Sequence, residues 1–244
     1  DKPLYDSINN LAKQHDQRAT ISQWFYMALL KGVFGGQADT ILSSMRDVLD
    51  QKLNESVFPL PQIVERYKAT NKDLRFDSDY IESLLDTQHG EGRCRALLHL
   101  LFPEMNATEV FHIDHLHPQS AFEKKKLNQL AFLQSDPELL AFYSDAKHWN
   151  SIANLHLLND SQNMSKKDRP LKDWLNDYTV HLSPKQLLVD GVSLDLECFN
   201  EFYQKRRAAL KSRLVSRVYM TTSLSEAVRS DDSDEEVVVE EMIA

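Results

Sequence analysis

The sequence predicts a mainly α-helical chain of the α+β class, with one small strand–strand–helix core set into it. Three observations predict this. Apolar residues recur at helical spacing through the first hundred positions and again near the C-terminus. Two short β-prone runs, Val110 to Ile113 and Leu155 to Leu158, interrupt that pattern. Each run adjoins a dense polar cluster, and the second leads directly into a stretch that Asp160 is placed to cap as a helix N-terminus.

Taken in order, Ile21, Trp24, Phe25, Ala28 and Leu29 mark a first helical stripe that Gly32 and Gly35-Gly36 end. Ile41, Leu42, Met45, Val48, Leu49 and Leu53 form a second stripe. Pro59 and Pro61 break the chain before a short helix expected over Gln62 to Ala69. Tyr80, Ile81, Leu84 and Leu85 indicate a fourth helix, and Arg93 to Phe102 a fifth. These aromatic and methionine positions read as packing core. Between the two polar clusters, Phe122, Leu127, Leu130, Phe132 and Leu133 suggest one helix, and Pro137 opens another through Ala146. Pro170 to Tyr178 reads as a short amphipathic helix. A last helix, Asp195 to about Met220, carries Lys205, Arg206, Arg207, Lys211, Arg213 and Arg217 with no acid between Tyr203 and Arg217.

Composition sets outer bounds. The 244 residues suffice for one or two domains, and no apolar run is long enough to span a bilayer, which leads us to expect no membrane association and a cytoplasmic location. Cys94 and Cys198 stand alone, as in a reducing compartment. The formal charge is −9, but Glu226 to Glu241 holds eight acids against Arg229, so the remainder is near neutral and compatible with binding DNA. The tail from Ser223 reads as polar, acidic and disordered. The chain begins at Asp1 rather than Met, so we expect an excised C-terminal piece of a longer protein.

The chemistry concentrates at Phe111-His112-Ile113-Asp114-His115-Leu116-His117-Pro118, where three histidines and a carboxylate fall within six residues. Ser151 to Leu158 contains Asn154 and His156, and Asn163-Met164-Ser165-Lys166-Lys167 follows. Phosphodiester hydrolysis needs a hard cation with oxygen ligands and a base that is neutral near pH 7. A histidine beside an aspartate, with a later asparagine carbonyl, supplies those parts. Structural zinc is disfavoured because no thiols lie nearby. Surface histidines with capping asparagines would not explain the strand signals beside both clusters.

These segments resemble the HNH nucleases, whose frame is a small ββα-metal core. Asp114-His115 is similar to their Asp-His pair, Asn154 to the middle Asn, and Asn163, nine residues on, to the final ligand. The closer resemblance is to the C-terminal nuclease domain of GmrSD-type and SspE-like modification-dependent restriction proteins. They similarly carry H-x-D-H-x-x-P, N-L-x-L-L and N-x-x-K segments. The resemblance implies a Mg²⁺- or Mn²⁺-dependent DNA endonuclease that nicks one strand, in bacterial defence against phage or foreign DNA. His115 would be the general base, Asp114 and Asn163 the metal ligands, and Asn154 the residue orienting His115. Lys166, Lys167, His112, Arg206 and Arg207 would contact phosphate. His117 faces solvent or substrate on this reading.

The corresponding organisation is a helical scaffold over 1–105, the core with its helical insertion over 106–180, a basic amphipathic helix over 181–222, and the acidic tail over 223–244. The resemblance further implies an N-terminal nucleotide-dependent domain outside this chain. Double-strand cleavage would need two copies, as in a homo-oligomer, or two visits. A catalytically idle nucleic-acid-binding or docking module of the same fold is the alternative.

Overall fold

The computed structural model describes residues 14–36, 38–52, 57–105 and 109–221, and the side chains from residue 17 onward. The acidic stretch expected to be disordered lies outside these residues. The architecture is mostly helical with one two-stranded antiparallel sheet.

Five helices lead: α1 (Gln14–Leu30), α2 (Ala38–Asp50), α3 (Leu60–Arg66), α4 (Ser78–Leu85) and α5 (Cys94–Leu101). Helix α3 starts two residues earlier than expected because Pro61 falls inside its first turn, where a missing N–H costs nothing. Asp77 caps α4 by accepting from the Tyr80 N–H. Along α1 the buried residues are Met27, Ala28 and Leu30, with Ile21 and Trp24 packed against them, whereas Phe25 and Leu29 are each 43% exposed. The stripe is thus rotated from the expected one, and two of its members face outward.

Strand β1 (Phe111–His115) pairs with β2 (Leu155–Asn159), with Ile113 opposite Leu157 and Asp114 opposite His156. Asp114 and His115 lie on the strand itself rather than in an irregular loop after it. Helix α10 (Asp160–Lys166) follows β2 without a gap and packs on both strands. Its N-cap is Asn159, not Asp160. The Asn159 carboxamide oxygen accepts from the Gln162 N–H while the Gln162 side chain accepts from the Asn159 N–H, a reciprocal capping box.

The segment between the strands is broken more often than its apolar spacing suggests. A 3₁₀ turn (Gln119–Phe122) precedes α6 (Lys124–Leu127) and α7 (Ala131–Gln134), where one helix was expected. Helix α8 (Pro137–Ser144) stops at Asp145, whose carboxylate accepts from the Lys147 N–H and so restarts the chain as α9 (Ala146–Trp149). A second 3₁₀ turn (Ile152–Asn154) enters β2. Helix α11 (Leu171–Leu175) and a 3₁₀ turn (Leu196–Cys198) lead to α12 (Phe199–Arg217), shorter at both ends than the expected helix.

Two apolar clusters result. The first gathers α1 to α5 with Phe111, Ile152, Leu155, Leu157, Leu210 and Leu214. The second gathers Leu116, Phe122, Tyr143, Leu158, Trp174, Phe199 and Phe202, among others. Strand β2 contributes to both.

Helix α12 is fastened by Arg206, which is 0% exposed. Its guanidinium donates to the backbone oxygens of Leu187 (2.9 Å), Ile152 (3.2 Å), Ala153 (2.7 Å) and Leu155 (3.0 Å). Burial pushes its pKa down to about 9, so it remains charged at neutral pH. Arg206 is therefore no phosphate contact, contrary to the sequence expectation. Arg207 is withdrawn as well, paired with Glu82 and Asp86 at 2.8 Å each. Lys211 pairs with the same Glu82 and Arg213 with Glu104. The helix carries no acid in that stretch because other elements bring the acids to it.

Arg206→Ala should lower the unfolding free energy by about 3 kcal/mol or more, since it removes the guanidinium from four backbone carbonyls, of which, among the described residues, Ile152's alone keeps a bond from the Leu155 N–H that closes the turn. Arg206→Lys should recover only a minor part, because one ammonium cannot reproduce the planar fork. Urea denaturation checks both, and a wild-type midpoint in Arg206→Ala would refute the assignment.

Candidate functional site

The site lies where β1 ends, and Asn154 shapes that end. Its side chain is fully buried. The amide oxygen accepts from the His117 N–H at 2.9 Å, and the amide nitrogen donates to the oxygens of His117 (2.9 Å) and Trp149 (2.8 Å). The Leu116 N–H adds a bond to the Asn154 backbone oxygen at 2.7 Å. Asn154 therefore clips the chain after β1 to the turn before β2. It does not orient the His115 ring.

That task falls to Asn150. The His115 Nε2 lies 2.9 Å from the Asn150 Oδ1, an acceptor that fixes the proton on Nε2 and leaves the lone pair on Nδ1. His115 is 6% exposed, and burial, aided by nearby His89 and Lys166, holds its pKa below the usual histidine value. Hydrogen bonding to Asn150 and the charge of Asp114 work in the other direction but do not prevail. The ring is neutral at pH 7.

Asp114 is anchored through both oxygens, and its side chain is 25% exposed. Its Oδ1 accepts from the His115 N–H at 2.9 Å, and its Oδ2 lies 3.7 Å from the Lys166 Nζ. Lys166 is 0% exposed, and its Nζ makes no hydrogen bond among the described residues, lying 5.9 Å from the Trp174 ring centre. Burial pulls its pKa down, while Asp114 opposes that shift. The sequence expectation of a phosphate-binding lysine fails here: Lys166 is an internal counter-ion of Asp114. Lys167, exposed at the C-cap of α10 with φ +45°, remains open to a ligand.

Asn163 sits in the middle of α10, half-exposed, with its side-chain amide unbonded among the described residues. The donor set expected from the sequence, Asp114 and Asn163, is one carboxylate and one amide. Among the described residues no group of three or more His, Cys, Asp or Glu side chains comes together. Mg²⁺ and Mn²⁺ fit such a sparse oxygen set, because Mg²⁺ is commonly held by one or two carboxylates plus water and substrate phosphate.

His117, expected to face solvent or substrate, is 2% exposed and boxed by Phe199 and Phe202, with ring centres 5.4 and 4.5 Å away. Burial, with Lys166 and Arg206 adding repulsion, pushes its pKa down to about 3. His156 is also fully buried, edge-on to Phe102 at 4.4 Å, and its pKa is depressed by burial. Both are packing groups, as was expected for His156 alone. His112 is exposed, and its Nε2 lies 2.7 Å from Asp160.

His89 was given no partner in the sequence, yet its ring centre is 5.1 Å from that of His115. The loop after α4 brings it there. Gln88 bridges to Ser151, the His89 N–H donates to the Asn150 oxygen (2.8 Å), and the Ile152 N–H donates to the Thr87 oxygen (2.8 Å). No local signal marks this contact, since it depends on pairing across some sixty residues. A scan against models of protein families gives no match, and neither does a comparison with curated proteins. No helix among the described residues is long and apolar enough to cross a membrane.

Two asparagine variants separate fold from site. Asn154→Ala should cost about 2 to 3 kcal/mol of stability by leaving buried backbone groups unpaired. Asn150→Ala should leave the melting temperature within a few degrees but free the His115 ring, moving its NMR-detected pKa. If Asn154→Ala melts like wild type while Asn150→Ala collapses, the two roles are reversed.

Proposed function

We propose that the chain is a divalent-metal-dependent DNA endonuclease of the HNH type, with His115 as general base. The observation that carries this reading is a buried, neutral imidazole with a fixed tautomer, next in sequence to a carboxylate whose side chain is 25% exposed. In this reading a Mg²⁺ or Mn²⁺ ion held by Asp114 and Asn163 supplies Lewis-acid polarisation of the phosphodiester and charge neutralisation. The residues of the chain do the rest. Asn150 keeps the Nε2 proton in place, so Nδ1 is the atom that receives the proton of the attacking water. Asp114, tied to the backbone N–H of His115, holds a constant position relative to that ring. Lys167 and His112 are the exposed members of the expected phosphate set, and Lys167 offers positive charge to the strand. The resemblance in sequence places such an activity in bacterial defence, downstream of a nucleotide-dependent domain.

A second reading is a catalytically idle nucleic-acid-binding or docking module. One observation favours it: Lys166 already gives Asp114 a cation.

Supercoiled plasmid with Mn²⁺ or Mg²⁺ decides between them. Wild type should convert it to the open circle, EDTA should stop the reaction, and His115→Ala should slow it at least about a hundredfold. The depressed pKa fixes the sign of the pH profile. The base form is lost only on acidification below the ordinary histidine value of about 6.5, so the His115-dependent acid limb should lie under it. No nicking by wild type with DNA binding intact would leave the idle reading or a nuclease that waits for the nucleotide-dependent domain outside this chain.

A further inference from the structure

Arg206, Arg207 and Lys166 cannot serve a substrate, so the path of the strand must lie elsewhere. Among the described residues strand β1 pairs only with β2, so its other edge carries no strand there. Two grooves adjoin there. The first, about 510 Å³, is lined by His89, Gly90, Arg95, His112 and Ile113, with Glu91 on its rim. The second, about 560 Å³, shares Gly92 and Arg95 with it and continues past Phe111 to Val110, Phe25 and Leu29. Together they follow β1 away from the His115–His89 contact.

The chemistry changes along this path. Near His115 it offers the exposed Arg95, which donates to the Phe111 oxygen at 2.9 Å, together with His89 and His112. Glu91 is engaged by the Arg93 side chain and the Gln88 N–H. Farther out the surface is apolar and aromatic: Phe25 and Leu29 are 43% exposed and Val110 68%. Tyr26 stacks on His99 there, with centres 5.2 Å apart and planes 7° from parallel. Glu109 is the charged residue at that end. A duplex presents phosphates at regular intervals and would need cations along the whole path. An unpaired base instead stacks on exposed rings.

We propose that this groove binds a single-stranded nucleic-acid segment, with a phosphate at Arg95 and an unpaired base against Phe25 and Val110. The proposal builds on the nuclease reading and names its substrate as single-stranded or locally unpaired DNA.

The test measures binding of the full chain carrying His115→Ala, by fluorescence anisotropy, to a short oligonucleotide as single strand and as blunt duplex. The single strand should bind at least about tenfold tighter than the duplex. Phe25→Ala should weaken single-strand binding about tenfold, within the range for one stacked base, and leave duplex binding unchanged. Val110→Asp, also at an exposed position, should do the same. A 2-aminopurine placed in the strand should change its emission on binding, and Phe25→Ala should abolish that change. Preference for duplex, or equal single-strand affinity in all variants, overturns the proposal even if plasmid nicking is metal-dependent. Single-strand binding lost with Phe25, in a protein that cuts no DNA, upholds the groove and removes the nuclease reading. Absence of binding to either form overturns the groove as well.

Discussion

The contact on which the rest of the structure depends is the Arg206 guanidinium held against four backbone oxygens. A buried cation is unfavourable unless it is well partnered, and here the partners are carbonyl dipoles converging from Ile152, Ala153, Leu155 and Leu187. Three of the four belong to the turn entering β2 and to its first residue. By fixing them, α12 sets the turn that carries Asn154, and Asn154 in turn fixes the chain leaving β1. The geometry at His115 is thus the end of a chain of backbone constraints that begins about ninety residues downstream.

The site also sits at a seam. Leu155 and Leu157 belong to one apolar cluster and Leu158 to the other, so β2 is buried by two separate cores. The loop between α4 and α5 crosses that seam to pair with residues 150 to 152 and to place His89 beside His115. The helical half therefore does more than support the sheet. It supplies one wall of the groove beside His89 and the open aromatic surface beyond it.

Much of this was legible in the sequence, and the rest failed for definable reasons. Short β-prone runs located both strands, and apolar spacing located most helices, because those signals are local. Burial of a charged side chain is not local. Arg206 and Arg207 are neighbours in one basic run, yet one ends among carbonyls and the other among carboxylates, from partners fifty to a hundred and twenty-five residues away. Asn150 and Asn154 are similarly indistinguishable by type, since they stand four residues apart before β2 and either amide could reach the His115 imidazole. Only the fold shows that Asn154 is spent on the backbone. Phe25 and Leu29 fitted a helical stripe and still face outward, because a stripe one position over, through Met27 and Ala28, packs instead.

What remains at the site is a concentration of costly features around one carboxylate. Lys166 is buried without a hydrogen bond among the described residues, and His117 and His156 are buried with unpartnered ring nitrogens. A fold selected for stability alone would replace these groups with apolar ones of similar size. Their pKa values are all driven toward the neutral form by burial. They therefore add little positive charge around Asp114 beyond what Lys166 retains through its pairing. The carboxylate is left with a single soft counter-ion and a side chain that is 25% exposed, beside a neutral base. Such an arrangement holds Asp114 ordered without saturating it. That is the state a carboxylate must occupy if a divalent cation and a phosphate are to arrive together, and it gives a physical reason for retaining a lysine that stability would discard.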